Sequence, residues 1–145
     1  MIRAFLDASV LFAAAYSATG ASREIIHLGL RGRVDLVISG LVVEEAERNL
    51  AQKAPEAIPY LEVLLSVAEF EIVEASKRQV VTAAAYTKAK DAPIVAAAKR
   101  AKVDYLVSLD RKHLVNDSEV ARHSGLTIVL PGTLLQLVRE GSDRL

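Results

Sequence analysis

Asp91-Ala92-Pro93-Ile94-Val95-Ala96-Ala97-Ala98-Lys99-Arg100-Ala101-Lys102 runs straight into Val103-Asp104-Tyr105-Leu106-Val107-Ser108-Leu109-Asp110. The first half reads as a helix: Asp91 stands where an N-cap belongs, and Pro93 sits in the first turn, where its missing N–H costs little. The second half is a short apolar run with β-branched and aromatic members, bounded by acids, and reads as a strand over 103–109. A helix feeding a buried strand with almost no loop is half of a crossover unit, and the same alternation continues on both sides. Toward the N-terminus, Ile2-Arg3-Ala4-Phe5-Leu6 is a buried strand, followed by a helix over 9–16, a turn over 17–20 and a second helix over 22–31 with Ser22 as its N-cap and Gly32 closing it. Val34-Asp35-Leu36-Val37-Ile38 is the next strand, and Ser39 caps a helix over 41–53 with Val43, Ala46 and Leu50 at helical spacing. A helix over 57–67, a strand over 70–73 nearer an edge, and a helix from Ser76 to about residue 88 complete this side. Toward the C-terminus, 110–114 is a short helical turn, Asn116-Asp117 a turn, 126–130 the last strand and 133–138 a helix, with a polar tail over 140–145 that frays.

The 145 residues carry no repeat, low-complexity run or linker, so residues 1–145 form one domain. Strands alternate with helices throughout, and most strands are near-continuous Val, Ile and Leu runs, as strands covered on both faces are. The expected fold is α/β, a mainly parallel central sheet of about five strands with helices on both faces. At 52% hydrophobic but 5% aromatic, the core is built from Ala, Val, Leu and Ile.

Formal net charge is zero, so attraction to a polyanion must come from local patches or bound cations. The absence of cysteine excludes structural disulfides, zinc–thiolate sites and cysteine nucleophiles, and is compatible with the cytoplasm. The apolar segment over 4–15 mimics a signal peptide, but Asp7 interrupts it, and it is too short to span a bilayer.

In an open parallel sheet, ligands bind outside the carboxyl ends of the strands. Asp7 follows the first strand and Asp110 the fourth, while Asp91 starts the helix leading into the fourth. Glu44 and Glu45 lie about one turn into the helix after the second strand. Each Asp taken singly reads as an N-cap, and the two glutamates as polar residues of an amphipathic helix. Their coincidence at one edge is the signal. Crowded carboxylates push one another toward protonation, and a cation among them removes that penalty. With no Cys and no His at a ligand-like spacing, the donor set is all oxygen and suits Mg²⁺ or Mn²⁺. Phosphodiester hydrolysis needs such a site, with ions that activate water and neutralise the phosphate.

These stretches carry a resemblance. Phe5-Leu6-Asp7-Ala8-Ser9-Val10-Leu11, Ser39-Gly40-Leu41-Val42-Val43-Glu44-Glu45-Ala46, Asp91-Ala92-Pro93-Ile94-Val95-Ala96-Ala97-Ala98 and Tyr105-Leu106-Val107-Ser108-Leu109-Asp110-Arg111-Lys112-His113-Leu114 resemble, in order and spacing, the four motifs of the PIN-domain nucleases. That family includes the VapC-type toxins of bacterial and archaeal toxin–antitoxin pairs. The resemblance implies Mg²⁺ or Mn²⁺ held by Asp7, Glu45, Asp91 and Asp110, with Glu44 as the neighbour that can replace Glu45. It implies cleavage of single-stranded RNA, a possible antitoxin partner, and a homodimer. Ser9 and Ser108 would position the acids through hydrogen bonds.

Lys88, Lys90, Lys99, Arg100 and Lys102 flank Asp91, and Arg111 and Lys112 flank Asp110. Lys88, Lys90, Arg111 and Lys112 are candidates to grip an RNA backbone, although a solvated helix face accounts for them equally well. His113 follows the fourth motif, where a phosphate contact competes with a structural role. The tyrosines form no stacking stripe, so the sequence supports no base-specific binding. Two alternatives remain at this level: a non-catalytic RNA- or protein-binding PIN domain, and a carboxylate-based phosphatase on a similar sheet. The phosphatase would place a second Asp two residues after the first, where this chain has Ser9. A nucleotide-binding module is disfavoured because neither G-x-G-x-x-G nor a P-loop occurs.

Overall fold

A computed structural model describes residues 1–143. Five strands, β1 (Ile2–Leu6), β2 (Val34–Ile38), β3 (Glu71–Ile72), β4 (Tyr105–Val107) and β5 (Ile128–Val129), form one sheet in the order β3-β2-β1-β4-β5. Every pairing is parallel. The helices are α1 (Ala8–Tyr16), α2 (Ala21–Leu30), α3 (Gly40–Lys53), α4 (Ile58–Val67), α5 (Lys77–Ala84), α6 (Ala92–Ala101), α7 (Ser118–Ser124) and α8 (Pro131–Asp143). Parallel strands need crossover connections, and these are right-handed. Chain progress from β1 to β3 therefore places α1 to α4 on one face, and the return past β1 to β4 and β5 places α5 to α7 on the other. The packing agrees: α1 contacts α2, α3 and α4, α8 joins this layer against α2, and α5 packs on α6.

The α/β fold and the five-stranded sheet match the expectation, and the differences are local. Ala4, Phe5 and Leu6 of the central strand are fully buried, covered from both faces. On β3 Glu71 and Ile72 are exposed, as suits an edge. The regular strands are shorter than the expected 70–73, 103–109 and 126–130, although flanking residues still reach the neighbouring strand: the Val73 N–H donates to Ile38 O, the Ser108 N–H to Val129 O and the Leu106 N–H to Thr127 O. Ser22 is not an N-cap; it is buried one residue inside α2, which begins at Ala21 with Gly20 in the cap position. At the other end of α2, Gly32 adopts φ +71°, its N–H donates to Gly29 O and the Arg33 N–H to Leu28 O, the double bond of a Schellman motif. The helix expected from Ser76 to residue 88 ends at Ala84, α8 is longer than expected, and α7 was not foreseen. Of the tail expected to fray, residues 140–143 are helical; Arg144 and Leu145 lie outside the described residues.

α6 is buried almost all round. Ala92, Ile94, Val95, Ala96, Ala97, Ala98 and Ala101 are all covered, because small alanine faces let the helix fit between the sheet and α5. That packing fixes the start of α6, and with it Asp91, against the carboxyl edge of the sheet.

Candidate active site

The strand order creates the site. Chain progress turns around at β1, which has β2 on one side and β4 on the other. The gap between β1 and β4 is a topological switch point, where ligands bind in open α/β sheets. Asp7 and Asp110 flank it. The backbone N–H of Asp7 still reaches Val107 O across the gap, so the two strand ends leave the sheet together.

Asp7 is buried and caps α1. Its Oδ1 accepts from the Val10 N–H at 3.3 Å and from the Ser9 hydroxyl. Burial pushes its pKa up; the hydroxyls of Ser108 and Ser9 and the N–H groups of Val10 and Ser9 pull it back. Ser9 Oγ also accepts from the Leu109 N–H at 3.1 Å, and Ser108 Oγ accepts from the Asp110 N–H at 3.0 Å. Two serines thus tie the ends of β1 and β4 to each other, each bonded to a backbone N–H of one loop while its hydroxyl serves the carboxylate of the other. Asp110 in turn caps a π-helical turn (Arg111–Val115) by accepting from the His113 N–H at 2.9 Å.

Asp91 departs from its capping expectation. It precedes α6 but makes no side-chain cap hydrogen bond. It is 6% exposed, and its Oδ2 is buried without any hydrogen-bond partner. Burial raises its pKa, as does the nearby charge of Asp110, against the pull of Lys90, His113 and Lys88. Such an oxygen costs about 1–3 kcal/mol of desolvation, more when charged, so a helix-capping role does not explain it. Thr87 Oγ1, four residues earlier, is likewise buried and unpartnered. A buried carboxylate oxygen left unsatisfied beside other acids calls for an explanation there.

Glu45 lies half-buried on α3, without a hydrogen-bond or ion-pair partner among the described residues. Val42, Ala46 and Leu50 are the buried stripe of α3. Glu44 and Glu47, on one side of the stripe, line a cleft against Ile58 and Glu62 of α4. Glu45 is on the other side, in line with Asn49 and Lys53 at i, i+4 spacing, which share a groove with Ser9 and Leu109. The two glutamates therefore face different neighbours, and only Glu45 faces the Asp7 side. Among the described residues no three Asp, Glu or His side chains stand close enough together, as oriented, to hold a metal ion. Asp91 and Asp110 are near enough for their charges to act on each other, and the Ser108 hydroxyl links Asp7 to the Asp110 N–H. The donor chemistry still fits a hard divalent cation: the acids are all-oxygen ligands, and Asp91 Oδ2 has no other duty.

Lys88, Lys90, Arg111 and Lys112 are exposed around these acids. The Lys88 ammonium donates to His113 Nε2 at 3.0 Å; an ammonium has no acceptor, so the imidazole accepts. This pair beside Asp91 was not legible in the sequence, because its members are separated by a helix and a strand. Glu74, at the end of β3, is a further acid on the edge, but its Oε1 accepts from the Gly40 N–H at the start of α3.

A sequence model of the PIN domain matches residues 3–112. The chain belongs to the PIN-domain family. No curated protein sequence matches it. Among solved structures, PAE2754 from Pyrobaculum aerophilum is similar at 20% identity and a TM-score of 0.66, over 96% of this chain and 90% of that one. VapBC2 from Rickettsia felis, bound to a DNA fragment from its promoter, is similar at 16% identity and a TM-score of 0.64, over 89% of this chain and 98% of that one. DNA-bound VapBC from Salmonella typhimurium is similar at 14% identity and a TM-score of 0.63, over 90% and 99%. At these identities the likeness is one of fold. Among the described residues no helix is long and apolar enough to cross a membrane.

Proposed function

We propose that this PIN domain is a Mg²⁺- or Mn²⁺-dependent endoribonuclease that hydrolyses phosphodiester bonds of single-stranded RNA. The observation that carries the reading is Asp91: a buried carboxylate beside Asp110, at the switch point of the sheet, with one oxygen left unpartnered. Asp7, Asp91 and Glu45 would hold the metal, with Asp110 directly or through water. When bound, the ion supplies a water of lowered pKa and neutralises charge on the phosphate and the leaving oxygen. In the reaction, water oxygen bonds to phosphorus, the phosphorus–oxygen bond to the leaving ribose breaks, and the leaving oxygen takes up a proton.

The chain's own residues set the stage for that step. Ser9 and Ser108 orient Asp7 and hold the loops of β1 and β4 in register. Lys88, Lys90, Arg111 and Lys112 attract the RNA backbone to an edge whose own charge is negative. The alignment of Glu45 with Asn49 and Lys53, which share a groove with Ser9, while Glu44 lines the cleft toward α4, supports Glu45 for the second motif. The phosphatase alternative finds no second acid, since Ser9 fills that position and is hydrogen-bonded to Asp7. The fold likeness to two VapBC proteins supports a toxin of a toxin–antitoxin pair, held in check by an antitoxin protein; that it acts in the cytoplasm as a homodimer is part of the same proposal and follows from the family resemblance.

The test compares wild type and Asp91→Asn on labelled single-stranded RNA with Mg²⁺, with Mn²⁺ and with EDTA. Cleavage that needs metal and disappears in the variant is the expected result. Cleavage surviving both EDTA and the substitution would overturn the mechanism.

A further inference from the structure

Beside the acids lies a groove of about 400 Å³ between α1 and α3. Its walls are Ser9, Phe12 and Tyr16 of α1, Asn49 and Lys53 of α3, and Leu109 from the loop after β4. Two of these, Ser9 and Leu109, are hydrogen-bonded to each other, and Ser9 also bonds Asp7. The groove thus opens directly onto the candidate active site. Phe12 and Tyr16, one helical turn apart, stack with centroids 5.9 Å apart and planes 17° from parallel. The Lys53 ammonium lies 5.9 Å from the Phe12 ring centroid, which steadies the pair by cation–π attraction. Tyr16 nevertheless stays 63% exposed. Asn49 brings an amide with two donors and an acceptor, and makes no hydrogen bond among the described residues.

The geometry points to this groove as a base-selecting subsite that takes one unstacked nucleobase of the RNA, next to the phosphate being cut. The inference rests on the nuclease reading above and adds to it the recognition of sequence. Each part matches what an extruded base offers. Aromatic rings provide a stacking shelf for its π-face, as in single-strand binding proteins. Asn49 is placed to read its edge, since an asparagine amide pairs with adjacent donor and acceptor groups of a base. Lys53 provides a cation for the neighbouring phosphate. An apolar helix from a partner protein would bury the rings too, but would leave the Asn49 amide unsatisfied and the lysine desolvated, at a cost in free energy. The tyrosines alone form no stripe; the shelf pairs Tyr16 with a phenylalanine one helical turn before it.

Two measurements on the whole chain test this. In the first, short oligoribonucleotides of differing base composition are titrated in EDTA, with NMR following the side-chain amide of Asn49, the ring of Tyr16 and the backbone amide of Leu109. In the second, wild type, Asn49→Ala and Tyr16→Ala cleave a randomised single-stranded RNA pool, and the cut ends are sequenced. Expected are saturable shifts confined to this groove and a base preference at one position flanking the cut. Tyr16→Ala is expected to raise KM roughly five- to a hundredfold, as loss of one stacked base does, and Asn49→Ala to flatten the preference. Tyr16 is exposed and Asn49 is half-buried without a hydrogen bond among the described residues, so thermal unfolding of each variant should stay close to that of wild type. Groove shifts with no cleavage of any RNA would uphold the subsite and reject the nuclease. Cleavage whose base preference survives both substitutions would reject the subsite and leave the nuclease standing, as would shifts that miss this groove.

Discussion

Replacing Asp91 by Asn is expected to stabilise the metal-free protein, although most changes to a buried residue destabilise. The carboxylate of Asp91 is buried, one oxygen has no partner, and Asp110 repels it. Leaving a buried group in that state costs about 1–3 kcal/mol, and the attraction of Lys90, Lys88 and His113 returns part of it. Asn keeps the shape and removes the charge, so a net gain of about 1 kcal/mol is expected. For a domain of this size that is about 2–4 °C in Tm. Metal reverses the order. A ligand bound by the folded state alone at a hundred times its Kd adds about 2.7 kcal/mol, or roughly 5–10 °C, to wild type, and little to a variant lacking a ligand carboxylate. The assay is thermal unfolding by circular dichroism near pH 8, in EDTA and across Mg²⁺ and Mn²⁺ titrations. A variant that melts below wild type in EDTA would mean that Asp91 supports the fold through contacts that the arrangement above lacks. Equal metal-induced shifts in both proteins would remove Asp91 from the metal site.

The pH dependence follows from the same burial. Asp7 and Asp91 have folded-state pKa values raised above those of the unfolded chain, so between the two values the folded state holds more protons. Metal-free stability should therefore be fullest below about pH 4, as far as these two groups decide it, and fall as pH rises through their folded pKa values; denaturant melts in EDTA at stepped pH read this slope, and a rise across that window would contradict the burial. Glu45→Gln should lower metal-supported RNA cleavage by at least ten- to a hundredfold, while Glu44→Gln leaves it within twofold or so. The reverse result would exchange their roles. Ser108→Ala removes a fully buried hydroxyl that accepts from the Asp110 N–H and serves Asp7, so stability should drop by about 1–3 kcal/mol and cleavage should weaken at fixed metal. A variant as stable as wild type would show that the loops of β1 and β4 are held by other contacts.

Much of this molecule can be read along the chain. The alternation of buried strands and helices determined the α/β class, since apolar periodicity records which faces each element must hide. A residue that follows a buried parallel strand lies at its carboxyl end by chain direction alone, so Asp7 and Asp110 were placed at one edge before any pairing was known. α7 went unseen because only Val120 and Ser124 of it are buried, too few to leave a period; the cues were at its ends, Asp117 as N-cap and Gly125 at φ +75°.

Strand order, by contrast, is a matter of long-range contacts, and no local pattern encodes which strands become neighbours. Only the tertiary structure put β4 beside β1 and so made the two acids flank one crevice. It also separated Glu45 from Glu44, because the buried stripe of α3 sends adjacent residues to opposite sides. Asp91 has the sequence of a helix cap, yet its backbone already lies in the αR region rather than the extended geometry of a capping residue, and Pro93 at the second helical position has no N–H to offer its carboxylate. The groove at Asn49 joins residues from α1, α3 and the loop after β4, brought together by packing that the burial of each helix requires but that none of their sequences specifies alone.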